Sequence, residues 1–122
     1  MSFLIDSNII ICSFSDEYQY LRHLFIEENA KISEISREEV LGYHGLNDVQ
    51  KRCFSDIFSY TAIIFPSQEV YNKAIELRQQ YNLKLGDSII AATSLVYDLK
   101  LYTRNLKDFE PVKKLTCVNP IP

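Results

Sequence analysis

The sequence predicts an α/β domain, a central, mostly parallel sheet of short strands flanked by helices. Two observations carry that prediction. Apolar runs of a few residues, such as Phe3-Leu4-Ile5, Thr61-Ala62-Ile63-Ile64-Phe65 and Leu101-Tyr102-Thr103, alternate with longer segments whose apolar positions recur at helical spacing. Such alternation is the mark of a parallel sheet covered on both faces. A third observation bears on function. The acids Asp6, Glu39 and Asp87 stand where strand-like runs give way to helix-like ones, and ligands of parallel sheets sit beyond the carboxyl ends of the strands.

Phe3-Leu4-Ile5 ends at Asp6 as a buried strand would, and after Ser7-Asn8 the run Ile9-Ile10-Ile11-Cys12 opens a helix. Asp6 and Asn8 are N-cap residue types, so capping is one reading of both. Tyr18, Leu21, Leu24, Phe25 and Glu28 predict an amphipathic helix over 17–29, with His23 on its polar side. Lys31 to Ile35 is the next strand, and Ser36-Arg37-Glu38-Glu39 meets the capping-box rule, with Ser36 as the N-cap. A short helix then breaks at Gly42, His44 falls in a joint, and Val49, Cys53, Phe54, Ile57 and Phe58 predict a helix over 46–59. Pro66 stops the strand 61–65. Ser67 caps a helix carrying Val70, Ala74, Leu77 and Tyr81 on one face, ended by Asn82.

Between Ser88 and Leu99 the positions Ile89, Ala92, Leu95, Val96 and Leu99 fall at helical spacing, and Ile90 and Ala91 widen the stripe until nearly all sides are apolar. That is a helix buried on most faces, with Asp87 as the one acid in its first turn, where the helix dipole and free amides favour a carboxylate. Leu101 to Thr103 is a strand, Asn105 to Phe109 a turn or single helical turn, and Leu115 to Val118 the last strand.

The chain has 122 residues, 47% hydrophobic and 24% charged, which fits one globular domain over 1–122. Cys12, Cys53 and Cys117 are odd in number and in no metal-ligand spacing, so reduced thiols are expected. No apolar run approaches the roughly 20 residues of a membrane helix, and the N-terminus does not read as a signal peptide, so a cytoplasmic location without membrane contact is expected. The net charge of −3, from 13 basic and 16 acidic residues, argues against a nucleic-acid coat working by bulk positive charge. It leaves room for a nuclease, because a carboxylate site contributes several negatives itself. Arg37, Lys84, Arg104 and Lys107 lie close in sequence to the acids and are the candidates to meet an RNA backbone.

Crowded carboxylates raise one another's pKa, and a divalent cation resolves the conflict. Oxygen ligands without a Cys or His cluster select Mg²⁺ or Mn²⁺ over Zn²⁺. Such an ion suits phosphodiester hydrolysis by activated water. Competing motifs fail: there is no Gly-rich phosphate loop and no Gly-x-Ser-x-Gly elbow, and neither His has a telling partner.

Four stretches in order, Leu4-Ile5-Asp6-Ser7-Asn8, Ile35 to Gly42, Asp87 to Thr93 and Thr103 to Phe109, resemble PIN domains, most closely the VapC-type toxins of toxin-antitoxin modules. The resemblance spans Phe3 to about Val118. It implies a PIN-like three-layer sandwich and a Mg²⁺- or Mn²⁺-dependent endoribonuclease, with Asp6, Glu39 and Asp87 as metal-binding acids. An acid three positions before a glycine selects Glu39 over Glu38. The resemblance also implies 5′-phosphate and 3′-hydroxyl products, a homodimer, a cognate antitoxin partner and an RNA target such as a transfer RNA or ribosomal RNA loop. Where some members carry an acid after Thr-Arg, this chain has Asn105, with Asp108 three residues on, so either could complete a second metal site. Asn8, Ser36 and Thr103 are supporting residues, Asn8 bracing the Asp6 loop and the two hydroxyls lying near the rim. Asn105 also motivates an alternative from another class, a degenerate PIN domain that binds RNA or a protein without cleaving. A phosphorylated receiver domain is disfavoured, since paired acids after the first strand are absent.

Overall fold

The computed structural model describes residues 1–122. Its elements in chain order are β1 (Phe3–Ile5), α1 (Ser7–Cys12), a 3₁₀ segment (Asp16–Ile26), β2 (Ala30–Ser33), α2 (Glu34–Leu41), α3 (Asp48–Tyr60), β3 (Ala62–Ile64), α4 (Gln68–Gln80), α5 (Leu85–Val96), β4 (Lys100–Tyr102), α6 (Leu106–Phe109) and β5 (Cys117–Val118). The five strands form one sheet in the order β3-β2-β1-β4-β5. Every pairing is parallel, so the sheet is wholly rather than mostly parallel. No helix is long and apolar enough to cross a membrane.

Side-chain alternation along β1 shows how the layers are built. Phe3 and Ile5 point into one core, with Ile9, Ile10, Phe25, Phe54 and Ile57, while Leu4 points into the other, with Val70, Leu77, Ile90 and Leu101. Successive residues of a strand face opposite sides. A three-residue strand buried on both sides must therefore be apolar throughout, as β1 is, and the result is three layers. Truncating a side chain such as Leu4, which is fully buried, costs about 2–5 kcal/mol.

The predicted helix over 17–29 is a 3₁₀ segment broken by non-helical geometry at Tyr18 (φ −115°, ψ 21°). Tyr18, Leu21 and Leu24 recur every three residues, and a helix with three residues per turn aligns them along one side. The capping box predicted at Ser36 and Glu39 does not form. β2 ends at Ser33, whose Oγ accepts from the Ile35 N–H at 3.2 Å and caps α2. Both serines suit a cap, and the register Ser33↔Ile64 with the neighbouring strand decides between them. A capping box does occur at Asn47 and Gln50, ahead of α3. The helix predicted with Asp87 in its first turn and apolar positions up to Leu99 opens at Leu85 and closes at Val96, which leaves Leu99 in the core just before β4.

Candidate carboxylate site

β1 and β4 lie side by side with Ile5 opposite Tyr102, so the residues that follow them, Asp6 and Thr103, emerge at the same edge. Asp6 is the N-cap of α1, which starts at once with no intervening turn: its Oδ1 accepts from the Ser7 N–H at 2.8 Å. Its Oδ2 accepts from the Thr103 hydroxyl at 2.9 Å and from the Asn8 side-chain amide at 3.1 Å. Asn8 ties the two loops further. Its amide also donates to Thr103 Oγ1 at 3.2 Å, and its Oδ1 accepts from the Arg104 N–H at 3.1 Å. The Asn105 N–H donates to Thr103 Oγ1 as well, at 3.1 Å.

Glu39 comes from α2 and Asp87 from the first turn of α5. A Cβ built on Gly86 would stand 3.5 Å from Glu39 Oε2, so this carboxylate rests against the backbone beside Asp87. All three acids have pKa values above the ordinary carboxylate range. Burial raises Asp6 most, opposed by its hydrogen bonds from Thr103, Ser7 and Asn8 and reinforced by the charge of Asp87. Glu39 is raised by burial, then by the charges of Asp6 and Asp87, while Ser7 hydrogen bonding acts in the other direction. Asp87 is raised by burial, then by Asp108, and lowered by Lys84. Burial together with the Asp6 charge pushes the Cys117 thiol up to about 11.

Asp6 and Glu39 thus feel the charge of Asp87, Glu39 also that of Asp6, and Asp87 that of Asp108. They do not close on a single point: no three His, Cys, Asp or Glu side chains stand together closely enough to hold a metal ion between them. The chemistry of the donor set nevertheless suits a hard divalent cation. The donors are carboxylate oxygens that repel one another, and ionised ligands are disfavoured only while nothing positive stands between them.

Among the other predicted residues, Ser36 lies within α2, fully buried, with no partner for its Oγ. Arg37 is held by the Glu34 carboxylate through Nε and Nη2, so its charge is already matched. Arg104 lies against Cys12 and Tyr18 instead of any acid. Lys107, Asn105 and Asp108 are exposed at the start of α6. His23 and His44 are exposed, His23 against the Tyr20 carbonyl and His44 against the Tyr43 ring. Two further contributors, Ser7 and Gly86, are not singled out by sequence reasoning. Their signal is adjacency, since each directly neighbours an acid of the set. A cavity of about 610 Å³ between α4 and the segment before β5 includes none of these acids.

Only Asp6 stands at a strand-to-helix junction as expected; Glu39 lies near the end of α2 and Asp87 in a helix that follows α4, so tertiary packing brings two helical acids to the end of β1. The parallel sheet, its two helical layers and this group of carboxylates define a three-layer α/β protein with an acidic site. A PIN-domain profile matches residues 3–115, and the chain belongs to the PIN-domain family. Comparison with curated protein sequences gives no match. Among solved structures, a toxin-antitoxin complex from Klebsiella pneumoniae is similar at 34% identity and a TM-score of 0.77, over 98% of each chain. VapBC2 from Rickettsia felis bound to a promoter DNA fragment has 21% identity and a TM-score of 0.82, over 98% of each chain. DNA-bound VapBC from Salmonella typhimurium has 17% identity and a TM-score of 0.81, over 97% of each chain, and like the Rickettsia structure it attests the fold.

Proposed function

We propose that the chain is the ribonuclease toxin of a toxin-antitoxin module, a divalent-metal-dependent endoribonuclease that hydrolyses RNA phosphodiester bonds in the cytoplasm. The observation that carries this reading is the coupling of Asp6, Glu39 and Asp87, three acids from three separate elements, each raised in pKa and each facing the charge of another acid. The match to the Klebsiella toxin-antitoxin complex over nearly the full length supports the toxin role and a cognate antitoxin as partner. The resemblance of its motifs to PIN-domain toxins implies a homodimer as well.

Asp6, Glu39 and Asp87 would hold Mg²⁺ or Mn²⁺, and Asn105 or Asp108 would complete a second position. When bound, such an ion supplies positive charge for the phosphoryl oxygens and lowers the pKa of a water. The chain's own residues do the rest. Thr103 and Asn8 fix the Asp6 carboxylate by hydrogen bonds to Oδ2, and Ser7 fixes Oδ1, so this ligand is oriented before anything binds. The first turn of α5 gives Asp87 a fixed place on a helix that is buried almost throughout. Single-stranded or looped RNA is the substrate form, because unstacked nucleotides bend into a recessed rim. Lys107 and Arg104, exposed after Thr103, supply positive charge on the approach.

The second reading, a PIN domain that binds without cleaving, is favoured by one observation: a neutral side chain, Asn105, stands where some PIN domains carry an acid. Incubating RNA with the purified protein in Mg²⁺, Mn²⁺ or EDTA, beside an Asp87→Asn variant, separates the two. Discrete fragments that need metal and vanish in the variant establish the nuclease. Intact RNA in both proteins, with RNA and metal still bound, establishes the binding module.

A further inference from the structure

Arg104 is an exposed cation next to an acidic site, yet it pairs with no carboxylate; the ion pairs of the chain are Arg37 with Glu34 and Lys73 with Glu76. Its Nη1 instead donates to Cys12 Sγ at 2.9 Å, and its Cζ lies 5.5 Å from the centre of the Tyr18 ring. Tyr18 is placed there by the break in the 3₁₀ segment, and Tyr20, 44% exposed, meets it edge-on at 6.3 Å. The main chain of Arg104 is anchored too, since its N–H donates to the same Asn8 that holds Asp6. One end of the residue is thus fixed to the catalytic rim and the other to an aromatic ring.

We propose that Arg104, seated over Tyr18 and held by Cys12, forms a stacking platform for one unstacked RNA base adjacent to the cleaved phosphate. The proposal rests on the nuclease reading for its substrate class. A guanidinium is planar and delocalised, and Arg104 is exposed while it is held near the ring, so its plane can receive a base from solvent. Splayed RNA bases lie on aromatic rings and Arg planes. A platform held by ring and thiol loses little freedom when a base arrives, which is the condition for affinity from a single contact. Thr103 fixes its distance from the chemistry, because Arg104 is the next residue along the chain from the hydroxyl that holds Asp6. Cys12 and Tyr18 act as positioning residues, and the platform selects where the strand lies rather than making or breaking bonds.

The test is RNA binding by the Asp87→Asn protein in Mg²⁺, with a single-stranded oligonucleotide and a set carrying one abasic nucleotide at successive positions. Arg104→Lys, which keeps the charge and loses the plane, and Tyr18→Leu, which keeps apolar packing and loses the ring, should each weaken binding about tenfold. Tyr18→Phe should bind like the parent. An abasic nucleotide at one position should cost the parent the same factor and the two variants nothing more. In the wild-type protein that position should adjoin the cut bond.

Should Tyr18→Leu not fold, as judged by circular dichroism, the exposed Arg104→Lys carries the test alone. Unchanged binding by Arg104→Lys, with Arg104→Ala lowering the salt dependence by about one counterion, would mean a phosphate contact and overturn the platform. Losses that add fully between variant and abasic strand overturn it as well. Binding is read separately from cleavage: a wild-type protein that leaves RNA intact overturns the nuclease reading and with it the placement beside a cut bond, while the variant and abasic losses still decide whether Arg104 receives a base.

Discussion

The Thr103 hydroxyl donates to Asp6 Oδ2 over 2.9 Å, joining residues 97 positions apart in the chain. Thr103 is fully buried and serves three neighbours at once, as donor to Asp6 and as acceptor from the Asn8 amide and the Asn105 N–H. Replacing it by Val keeps the shape and removes all three bonds. Thr103→Val should lower unfolding free energy by about 1–3 kcal/mol, read by denaturant titration. Metal affinity should fall about 10- to 100-fold, read by calorimetry, and Thr103→Ser should recover most of both.

Asp87 is raised in pKa by burial and by Asp108, and the opposing effect of Lys84 does not cancel them. Its charge is therefore less favourable in the folded protein than in the unfolded chain. Asp87→Asn should raise the thermal midpoint of the metal-free protein while reducing RNA cleavage about 100-fold or more. A midpoint lowered in EDTA would mean that the helix N-terminus stabilises the charge more than its neighbours oppose it.

Asp6, Glu39 and Asp87 share the same sign of shift, and that sign sets the pH dependence of the metal-free fold. Between the ordinary values of 3.8 and 4.5 and the raised ones, the folded state holds more protons than the unfolded. These groups therefore make stability fall as pH rises through that window, and relief comes as pH falls back toward the ordinary values. With saturating Mg²⁺ the ligands must be ionised, so the stabilisation added by metal should grow as pH rises. Thermal melts in EDTA and in Mg²⁺ across this range should diverge with increasing pH.

Gly86 lies in the first turn of α5, where a Cβ would meet Glu39 Oε2 at 3.5 Å, an ordinary van der Waals contact. Gly86→Ala should stabilise the fold by about 0.5–1 kcal/mol through helix propensity, seen by denaturant titration. RNA cleavage should remain within a few-fold of wild type, because Glu39 is not displaced. A large loss of activity would show that Glu39 must move closer to Gly86 to act.

The α/β class, most of the elements and the junction acid Asp6 are legible in the sequence, whereas Glu39 and Asp87 lie within helices and not at strand ends. Those features are local: apolar period, Pro66 after β3 and Ser67 ahead of α4 each act within a few residues. The 3₁₀ geometry of Asp16–Ile26, where an amphipathic helix is expected, is consistent with the period of three at Tyr18, Leu21 and Leu24. Tertiary structure alone decided the order β3-β2-β1-β4-β5, the cap at Ser33 rather than Ser36, the Thr103 bond to Asp6, and the seating of Arg104 on Tyr18. Each of these joins or arbitrates between groups that local propensity treats alike. Strand register chose between two suitable serines, and the parallel pairing of β1 with β4 brought Thr103 to Asp6 from the far end of the chain.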